Sequence, residues 1–341
     1  METDFIVYET TTAEISTVNK KKVIECTEDN SQFVFIKTLG SGSFSKVKLV
    51  ERTWKNEENI DLKDEYAMKI MHKGILKRQR CVLYDRNNQM RMTTNWEKIE
   101  TEISIWRVLN HANVARLYEI INVNSFEHLY LVIEYCDLGQ IMKWDRALQK
   151  YSINEEIFPY LQKKYSTMFA RFSAREAAGK IIFSQVAKGL EYLHSKFVIH
   201  KDMKPDNILF SSKDCKFKIT DFSISEMLEG TSAVCYNPPG TIPFQAPESM
   251  LSGVGFVGEV SDVWALGVCI YAYMADGALP FWNPDSEIFT QMAIQSSPVD
   301  YSESFSPALK NFLQGILDKD PATRFTLQQI QDHEWLANTL T

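Results

Sequence analysis

The spacing of apolar positions divides the chain into a strand-rich first third and a helix-rich remainder. Residues 33–36 are apolar and aromatic, glycines follow at Gly40 and Gly42, and apolar positions resume at Val47, Leu49 and Val50. Strand, glycine turn, strand is the prediction. A helix is predicted over residues 96–109, then two strands over 117–121 and 129–135. Beyond that point the pattern turns helical. Ser173-Ala174-Arg175-Glu176 reads as a capping box, in which Ser173 and Glu176 satisfy each other's backbone donors at a helix start. Ile182, Val186, Leu190 and Leu193 then recur at helical spacing, as do Leu309, Phe312, Leu313, Ile316 and Leu317 near the end. No internal repeat or low-complexity tract interrupts the series. Residues 1–30 are polar, with a Lys20-Lys21-Lys22 run that reads as a solvated flank or, alternatively, a targeting signal. The expectation is an α+β chain: a flank over 1–30, a β-rich part over 31–135 and a helical part over 136–341.

Composition narrows the class without deciding the chemistry. The 341 residues, 45% hydrophobic and 24% charged, are those of an ordinary globular protein. A net charge of −7 argues against chain-wide affinity for nucleic acid or an anionic membrane. The six cysteines are scattered, with no C-x-x-C pair, so neither a zinc site nor a disulfide framework is indicated. An intracellular, cytoplasmic setting follows. The acidic N-terminus, Met1-Glu2-Thr3-Asp4-Phe5, lacks the order of a signal peptide, and no apolar run is long enough to span a bilayer.

The densest polar cluster lies between two apolar runs, in Val198-Ile199-His200-Lys201-Asp202-Met203-Lys204-Pro205-Asp206-Asn207-Ile208-Leu209. Phosphoryl transfer needs phosphates held, their charge neutralised by metal, and the accepting hydroxyl placed in line. Asp202 suits the hydroxyl's proton, Lys204 the transferred group, and Asn207 a magnesium ion through its amide oxygen. Asp221, in Ile219-Thr220-Asp221-Phe222-Ser223, suits the metal bridging the phosphates. Gly40-Ser41-Gly42-Ser43-Phe44-Ser45-Lys46-Val47 can form a turn over phosphates, though taken alone such a glycine-rich hairpin is more often just a turn. Lys69, in an apolar strand, is either a solvent-facing edge lysine or a phosphate-binding lysine held by a helical carboxylate, for which Glu102 is placed.

In this order, with Ala246-Pro247-Glu248 and the Ser261-Asp262-Val263-Trp264-Ala265-Leu266-Gly267 run, the motifs resemble the eukaryotic protein kinase signature set from residue 33 to 336. The resemblance implies a bilobal kinase fold, with a small β-rich N-lobe and a larger helical C-lobe. It implies ATP and Mg²⁺ as cofactors and protein substrates as partners. It places Leu39, Gly40, Gly42, Val47, Ala67, Lys69, Ile133, Glu134, Cys136, Leu209 and Asp221 around the nucleotide, with Asn207 and Asp221 on the metal. Lys204 and Thr241 resemble serine/threonine rather than tyrosine kinases. Asp262 would anchor the catalytic loop, and Arg324 would pair with Glu248.

Three departures keep a catalytically dead scaffold in view: Ser45 for the third loop glycine, Lys201 for the arginine before Asp202, and Ser223 for the glycine after Asp221-Phe222. None removes a metal ligand, the base or the phosphate lysine, which favours active catalysis. The family's arginine commonly binds a phosphate on the activation loop; lysine lacks its bidentate fork. The residue where the activating threonine would stand is Asn237. Activity without activation-loop phosphorylation is expected, with Thr231, Ser232 and Tyr236 as the sites to check.

Within kinases the chain is most similar to calcium/calmodulin-dependent protein kinase kinases, through Asn110-His111-Ala112-Asn113-Val114, the run 240–248 and Asp332-His333-Glu334-Trp335-Leu336. That implies activation-loop threonines of other kinases as substrates. A calmodulin-dependent or AMP-activated-type kinase acting on other proteins is the alternative. Gln140 and Ala272, neutral where arginine-selecting kinases carry carboxylates, argue against arginine-directed selection. The stretch 73–91 is basic (Lys77, Arg78, Arg80, Arg86, Arg91) and reads as a docking site or a solvated loop. Calmodulin would need a segment beyond residue 341, and residues 144–172 read by default as a surface insertion.

Overall fold

The structure, a computed structural model, describes residues 6–42, 44–56, 58–84, 88–228, 230, 234–237, 240–251 and 253–337. Ser43, Arg86, Thr231 and Ser232, which entered the sequence reading, lie outside the described residues. Two units arise: residues 1–82, 92–110 and 115–136 form the first, and 83–91, 111–114 and 137–341 the second.

In chain order the N-terminal part runs β1 (Tyr8–Thr10), β2 (Ala13–Val18), β3 (Lys21–Cys26), β4 (Ser31–Ser41), β5 (Ser45–Lys55), β6 (Asp61–His72), α1 (Lys73–Arg78), β7 (Arg80–Tyr84), β8 (Met90–Thr94), α2 (Asn95–Arg107), β9 (Leu117–Ile121) and β10 (His128–Glu134). Eight of these strands form one sheet in the order β1-β9-β10-β6-β5-β4-β3-β2, antiparallel except where β1 joins β9. Its core gathers Ile24, Phe33, Val50, Met68 and Val132, each contributing about 1.5–3 kcal/mol on burial.

Part of that sheet comes from the stretch expected to be a flank. Residues 8–26 supply three strands, and Ile24 and Cys26 enter the core. The lysine run forms the end of a hairpin: Asn19 and Lys20 have φ of 50° and 65°, and Lys22 turns inward. Its ammonium lies 5.5 Å and 5.4 Å from the Phe35 and Tyr130 rings and donates to the Tyr130 hydroxyl at 3.2 Å. Burial, then Lys48, lowers its pKa. An edge hairpin needs only one sparse apolar face, and a lysine over aromatic rings completes that face here.

The C-terminal part continues β11 (Gly139–Gln140), β12 (Met142–Asp145), β13 (Lys150–Ile153), α3 (Phe158–Lys164), α4 (Ser166–Arg171), α5 (Ala174–Ser195), β14 (Val198–Ile199), β15 (Ile208–Ser211), β16 (Lys216–Ile219), β17 (Glu226–Met227), β18 (Val234–Cys235), β19 (Phe256–Val257), α6 (Gly258–Met274), α7 (Glu287–Ser296), α8 (Pro307–Ile316) and α9 (Leu327–Asp332). Helices α5 and α6 are buried on nearly every side and pack on one another. Helix α6 reads as apolar around most of its circumference, as interior helices do, whereas α5 also buries Lys180 and Gln185. At the α5 start Ser173 accepts from the Glu176 N–H at 3.2 Å. The capping box is only half made, because the Glu176 carboxylate accepts from the Trp335 indole at 3.1 Å instead.

Residues 144–172, expected as a surface insertion, lie mostly at the surface and are anchored in the second unit. Their first part completes the β12–β13 hairpin, and Ile157, Leu161 and Met168 are buried. Trp144 packs edge-on against Trp282 and Tyr151. The Tyr151 N–H donates to the Gly277 carbonyl at 2.9 Å. Gly277 has φ +89°, and a Cβ there would sit 1.7 Å from the Tyr151 carbonyl oxygen, so only glycine admits the hairpin.

Candidate active site

In the first unit the glycine turn joins β4 to β5, with the Gly42 N–H donating to the Ser45 carbonyl at 2.8 Å. Gly40 stands opposite Val47. Val47 stands opposite Lys69 and Leu49 opposite Ala67, while Ala67 stands opposite Ile133. Opposed residues, and residues two apart, share a face of a sheet. Val47, Ala67, Lys69 and Ile133 therefore line one face. Leu39 is exposed at the register break between Thr38 and Gly40. Past Ile133, the Glu134 N–H donates to the Arg116 carbonyl at 2.8 Å, and Cys136 is buried.

Lys69 is not an edge lysine. It sits on β6, between β5 and β10, and its ammonium lies 2.5 Å from the Glu102 carboxylate. Thr94 caps α2 by accepting from the Glu97 N–H, and the helix presents Glu102, Ile105 and Trp106 as its buried face. A buried carboxylate is costly unless paired, and so is a lysine mid-sheet. Each answers the other.

In the second unit the loop between β14 and β15 is suspended from Asp262 of α6. That carboxylate accepts from the His200 N–H at 2.9 Å, the Lys201 N–H at 2.8 Å and the His194 ring at 2.9 Å. The Asp202 N–H donates to His200 Nδ1 at 3.2 Å, which leaves Nε2 to donate to the Thr220 carbonyl at 3.0 Å. His200 is thus the neutral Nε2–H tautomer, and its ring packs on Phe222 at 5.4 Å.

Four donors converge on the Asp202 carboxylate. Lys204 Nζ reaches Oδ2 at 2.6 Å and Asn207 Nδ2 reaches it at 3.2 Å. The Thr241 N–H and hydroxyl donate to Oδ1 at 3.1 Å and 2.9 Å. Lys204 Nζ also donates to the Thr241 hydroxyl at 2.9 Å. This approach requires glycine before Thr241: a Cβ on Gly240 would lie 2.3 Å from Asp202 Oδ1. Such a carboxylate is fixed in direction, as a positioned proton acceptor should be. Asn207 spends its amide N–H on the Asp202 carbonyl, at 2.8 Å, as well as the carboxylate. Its Oδ1 is thereby turned to act as acceptor or ligand.

Asp221 follows Thr220, whose N–H donates to the Asn207 carbonyl at 3.0 Å. It has φ +67°, a conformation that costs a non-glycine residue about 1–3 kcal/mol and is held by its surroundings. The Ser223 N–H, 3.4 Å from Asp221 Oδ1, and the buried Phe222 form part of that hold. Leu209 is half-buried on β15, opposite Lys218. Among the described residues no cluster of three or more acid, histidine or cysteine side chains could hold a metal. Two oxygen donors, Asn207 and Asp221, fit a hard cation that takes its remaining ligands from phosphate and water.

Two partners of this site escaped the sequence. Lys201, buried and with φ +66°, pairs with Glu226 at 2.5 Å. Asn237 donates to the same carboxylate at 3.1 Å, and its amide holds the Tyr84 N–H and carbonyl at 2.8 Å and 2.9 Å. A buried lysine demands an anion, a signal that says one exists but not which. The Tyr151 hydroxyl donates to Asp206 at 2.6 Å; burial and that carboxylate hold the phenol above its usual pKa. Nothing in the local pattern marks this pair. At the far end of the segment, Arg324 forms the expected two-point pair with Glu248, at 2.6 Å and 2.9 Å.

Comparison with known proteins gives the chain a family. Residues 33–336 match the protein kinase domain. The chain is 31% identical over 307 residues to serine/threonine-protein kinase GRIK2 of Arabidopsis thaliana, covering 90% of this chain and 65% of that protein. It is 32% identical over 306 residues to GRIK1 of the same plant, covering 90% and 67%. It is 29% identical over 320 residues to the calcium/calmodulin-dependent protein kinase kinase of Caenorhabditis elegans, covering 90% and 52%. The chain thus spans between half and two thirds of these relatives. Among its described residues no helix is long and apolar enough to cross a membrane, and the six cysteines form no disulfide.

Proposed function

The chain belongs to the protein kinase family, and on that premise we propose that it transfers the γ-phosphoryl group of ATP to serine or threonine hydroxyls of proteins, among them the activation-loop threonine of other kinases. The observation that carries this reading is the convergence of Lys204, Asn207 and Thr241 on the Asp202 carboxylate. Asp202 orients the substrate hydroxyl and accepts its proton as the oxygen attacks phosphorus. Lys204 steadies the charge on the transferring group, and the Thr241 hydroxyl fixes Lys204. Lys69, held by Glu102, pairs with the phosphates. The sheet face bearing Val47, Ala67 and Ile133 offers adenine an apolar surface, as does Leu209; Leu39, Gly40 and Gly42 belong to the turn over the phosphates, and Glu134 and Cys136 offer backbone groups. Asn207 and Asp221 would hold Mg²⁺, which would supply neutralisation of phosphate charge.

The preference for kinase substrates rests on the resemblance to kinase kinases, and the nematode relative bears that name. The neutral Gln140 and Ala272 leave no carboxylate at those positions for an arginine beside the target. The test is transfer from Mg-ATP to two peptides, with Asp221→Ala as the blank. One copies a kinase activation loop with a threonine target; the other is arginine-rich with a serine. Transfer to the first alone is expected. Transfer to neither by well-folded protein would replace the enzyme with a scaffold.

Activity without activation-loop phosphorylation has a physical basis in the Lys201–Glu226 pair. The anion facing the residue before Asp202 is a built-in carboxylate, and Asn237 ties that carboxylate to the main chain of Tyr84. Phosphatase-treated protein is expected to keep its peptide kinase activity within about twofold, since Lys201, the cation before Asp202, already has its anion in Glu226. Glu226→Gln is expected to lower that activity. Loss of activity on dephosphorylation, mapped to Thr231, Ser232 or Tyr236, would overturn the prediction.

A further inference from the structure

The segment that shapes Asp202 is fastened to Lys201 at both ends. The Lys201 carbonyl accepts from the Gly240 N–H at 3.2 Å, next to the Thr241 that donates to the Asp202 carboxylate. The Lys201 ammonium pairs with Glu226, and Glu226 accepts from Asn237 at 3.1 Å. The chain from Asn237 to Gly240 thus starts and ends on Lys201. That residue is buried with φ +66°, a backbone conformation that persists only where its surroundings hold it.

What holds the Asn237 end comes from far away in the sequence. Its amide oxygen accepts from the Tyr84 N–H at 2.8 Å, and its NH₂ donates to the Tyr84 carbonyl at 2.9 Å. With Glu226 on the other hydrogen, the amide has a partner for its oxygen and for each N–H. Threonine, with one hydroxyl hydrogen, and aspartate, which only accepts, cannot make that set. Further along the same insertion, Asn88 donates to the Gly253 carbonyl at 3.2 Å. Asn237 follows β18 and Gly253 precedes β19, and these two strands pair, so the insertion is tied to both arms of one ribbon. The ribbon's Cys235 and Phe256 pack with Ile199, at the start of the catalytic loop. Tyr84 and Asn88 belong to the second unit, although the stretches before 83 and after 91 belong to the first.

We propose that the insertion between α1 and α2 braces the phosphate-transfer site through Tyr84 and Asn88, and that Asn237 is the positioning residue by which the brace reaches Asp202. Fixing Asn237 fixes Glu226 on Lys201 and, through Gly240, the approach of Thr241 to the Asp202 carboxylate. The brace acts on the proton acceptor rather than on nucleotide or peptide, so its loss appears in kcat and not in KM. The proposal rests on the reading of Asp202 as that acceptor, and its test separates the two.

The test compares Asn237→Ala, Tyr84→Pro and the double variant, each as the full chain, with thermal unfolding as the control for folding. Tyr84→Pro deletes the N–H that Asn237 accepts and leaves the Asn237–Glu226 contact in place. Proline is tolerated in a strand where its N–H points out of the ladder, as that of Tyr84 does toward Asn237. Asn237→Ala is expected to lower kcat for the activation-loop peptide about tenfold, since a misplacement of about 1 Å can cost about 10²-fold. KM for ATP is expected to stay within about twofold. Tyr84→Pro is expected to lower kcat about threefold or more, and the double variant to match Asn237→Ala within about twofold, as two halves of one contact do. Full kcat in either single variant, or losses that multiply in the double, overturns the brace and spares the kinase reading. So does a raised KM for the peptide at unchanged kcat, which would make the contact a substrate-binding one. No transfer by wild type overturns the kinase reading, and amide hydrogen exchange then decides the brace. Faster exchange across residues 240–246 in Tyr84→Pro, with α5 unchanged, upholds it; unchanged exchange ends it. Where Tyr84→Pro does not fold, Asn88→Ala takes its place with the same readouts: lower kcat and faster exchange uphold the brace, and neither changing overturns it.

Discussion

Asp202→Asn is expected to lower kcat for peptide phosphorylation by about 10²–10⁴-fold, the span that a positioned general base contributes. Every neighbour of this carboxylate is a donor: the Lys204 ammonium, the Asn207 amide, and the Thr241 N–H and hydroxyl. An asparagine keeps the shape but puts an NH₂ where a lone pair was, against donors that need an acceptor. It also removes the charge that draws the hydroxyl proton. Nucleotide binding should survive, because Lys69 and Glu102 pair with each other in the first unit, independently of Asp202. The measurement is kcat and ATP affinity together, with thermal unfolding as the control for folding. A fall in kcat below tenfold, at unchanged stability, would remove Asp202 from the proton-accepting role.

Much of that site was legible because phosphoryl transfer demands particular residue types at short fixed offsets. Asp202, Lys204 and Asn207 fall within one loop, so their convergence needs no knowledge of distant contacts. Asp262 and Arg324 were legible only through family resemblance, since their partners His200, Lys201 and Glu248 lie about sixty residues or more away. What stayed hidden has the same physical character throughout. The β2–β3 hairpin joins the sheet because β4 offers an edge, and a polar stretch with a few inward apolar side chains satisfies it. Tyr151 finds Asp206, and Lys201 finds Glu226, through tertiary packing that no local period encodes. Local spacing reports which face of an element is apolar; it does not report what covers that face.

The second large effect is on stability, at Arg324. Its side chain is fully buried and fills its fork: two points on Glu248, the Asp318 carbonyl at 2.8 Å and the Val260 carbonyl at 3.0 Å. Its guanidinium lies 5.0 Å from the Trp264 ring centre. Arg324→Leu leaves the Glu248 carboxylate and two carbonyls without their donor, and breaking one side of a buried pair costs about 3–5 kcal/mol. Against a total of about 5–15 kcal/mol that is a large share, equivalent to a fall in Tm of roughly 4–7 °C for a chain of 341 residues. The double variant Glu248→Gln, Arg324→Leu is expected to recover part of the loss, because the stranded charge is gone. A double variant no more stable than Arg324→Leu would show that packing, not charge, dominates. Activity should fail before the fold does. Glu248 closes the segment that begins at Asp221 and carries Gly240 and Thr241 against Asp202, so Arg324→Leu releases the far anchor of the residues that shape the base. Below its own Tm the variant is therefore expected to show a lower kcat, and full kcat there would separate the anchor from the chemistry.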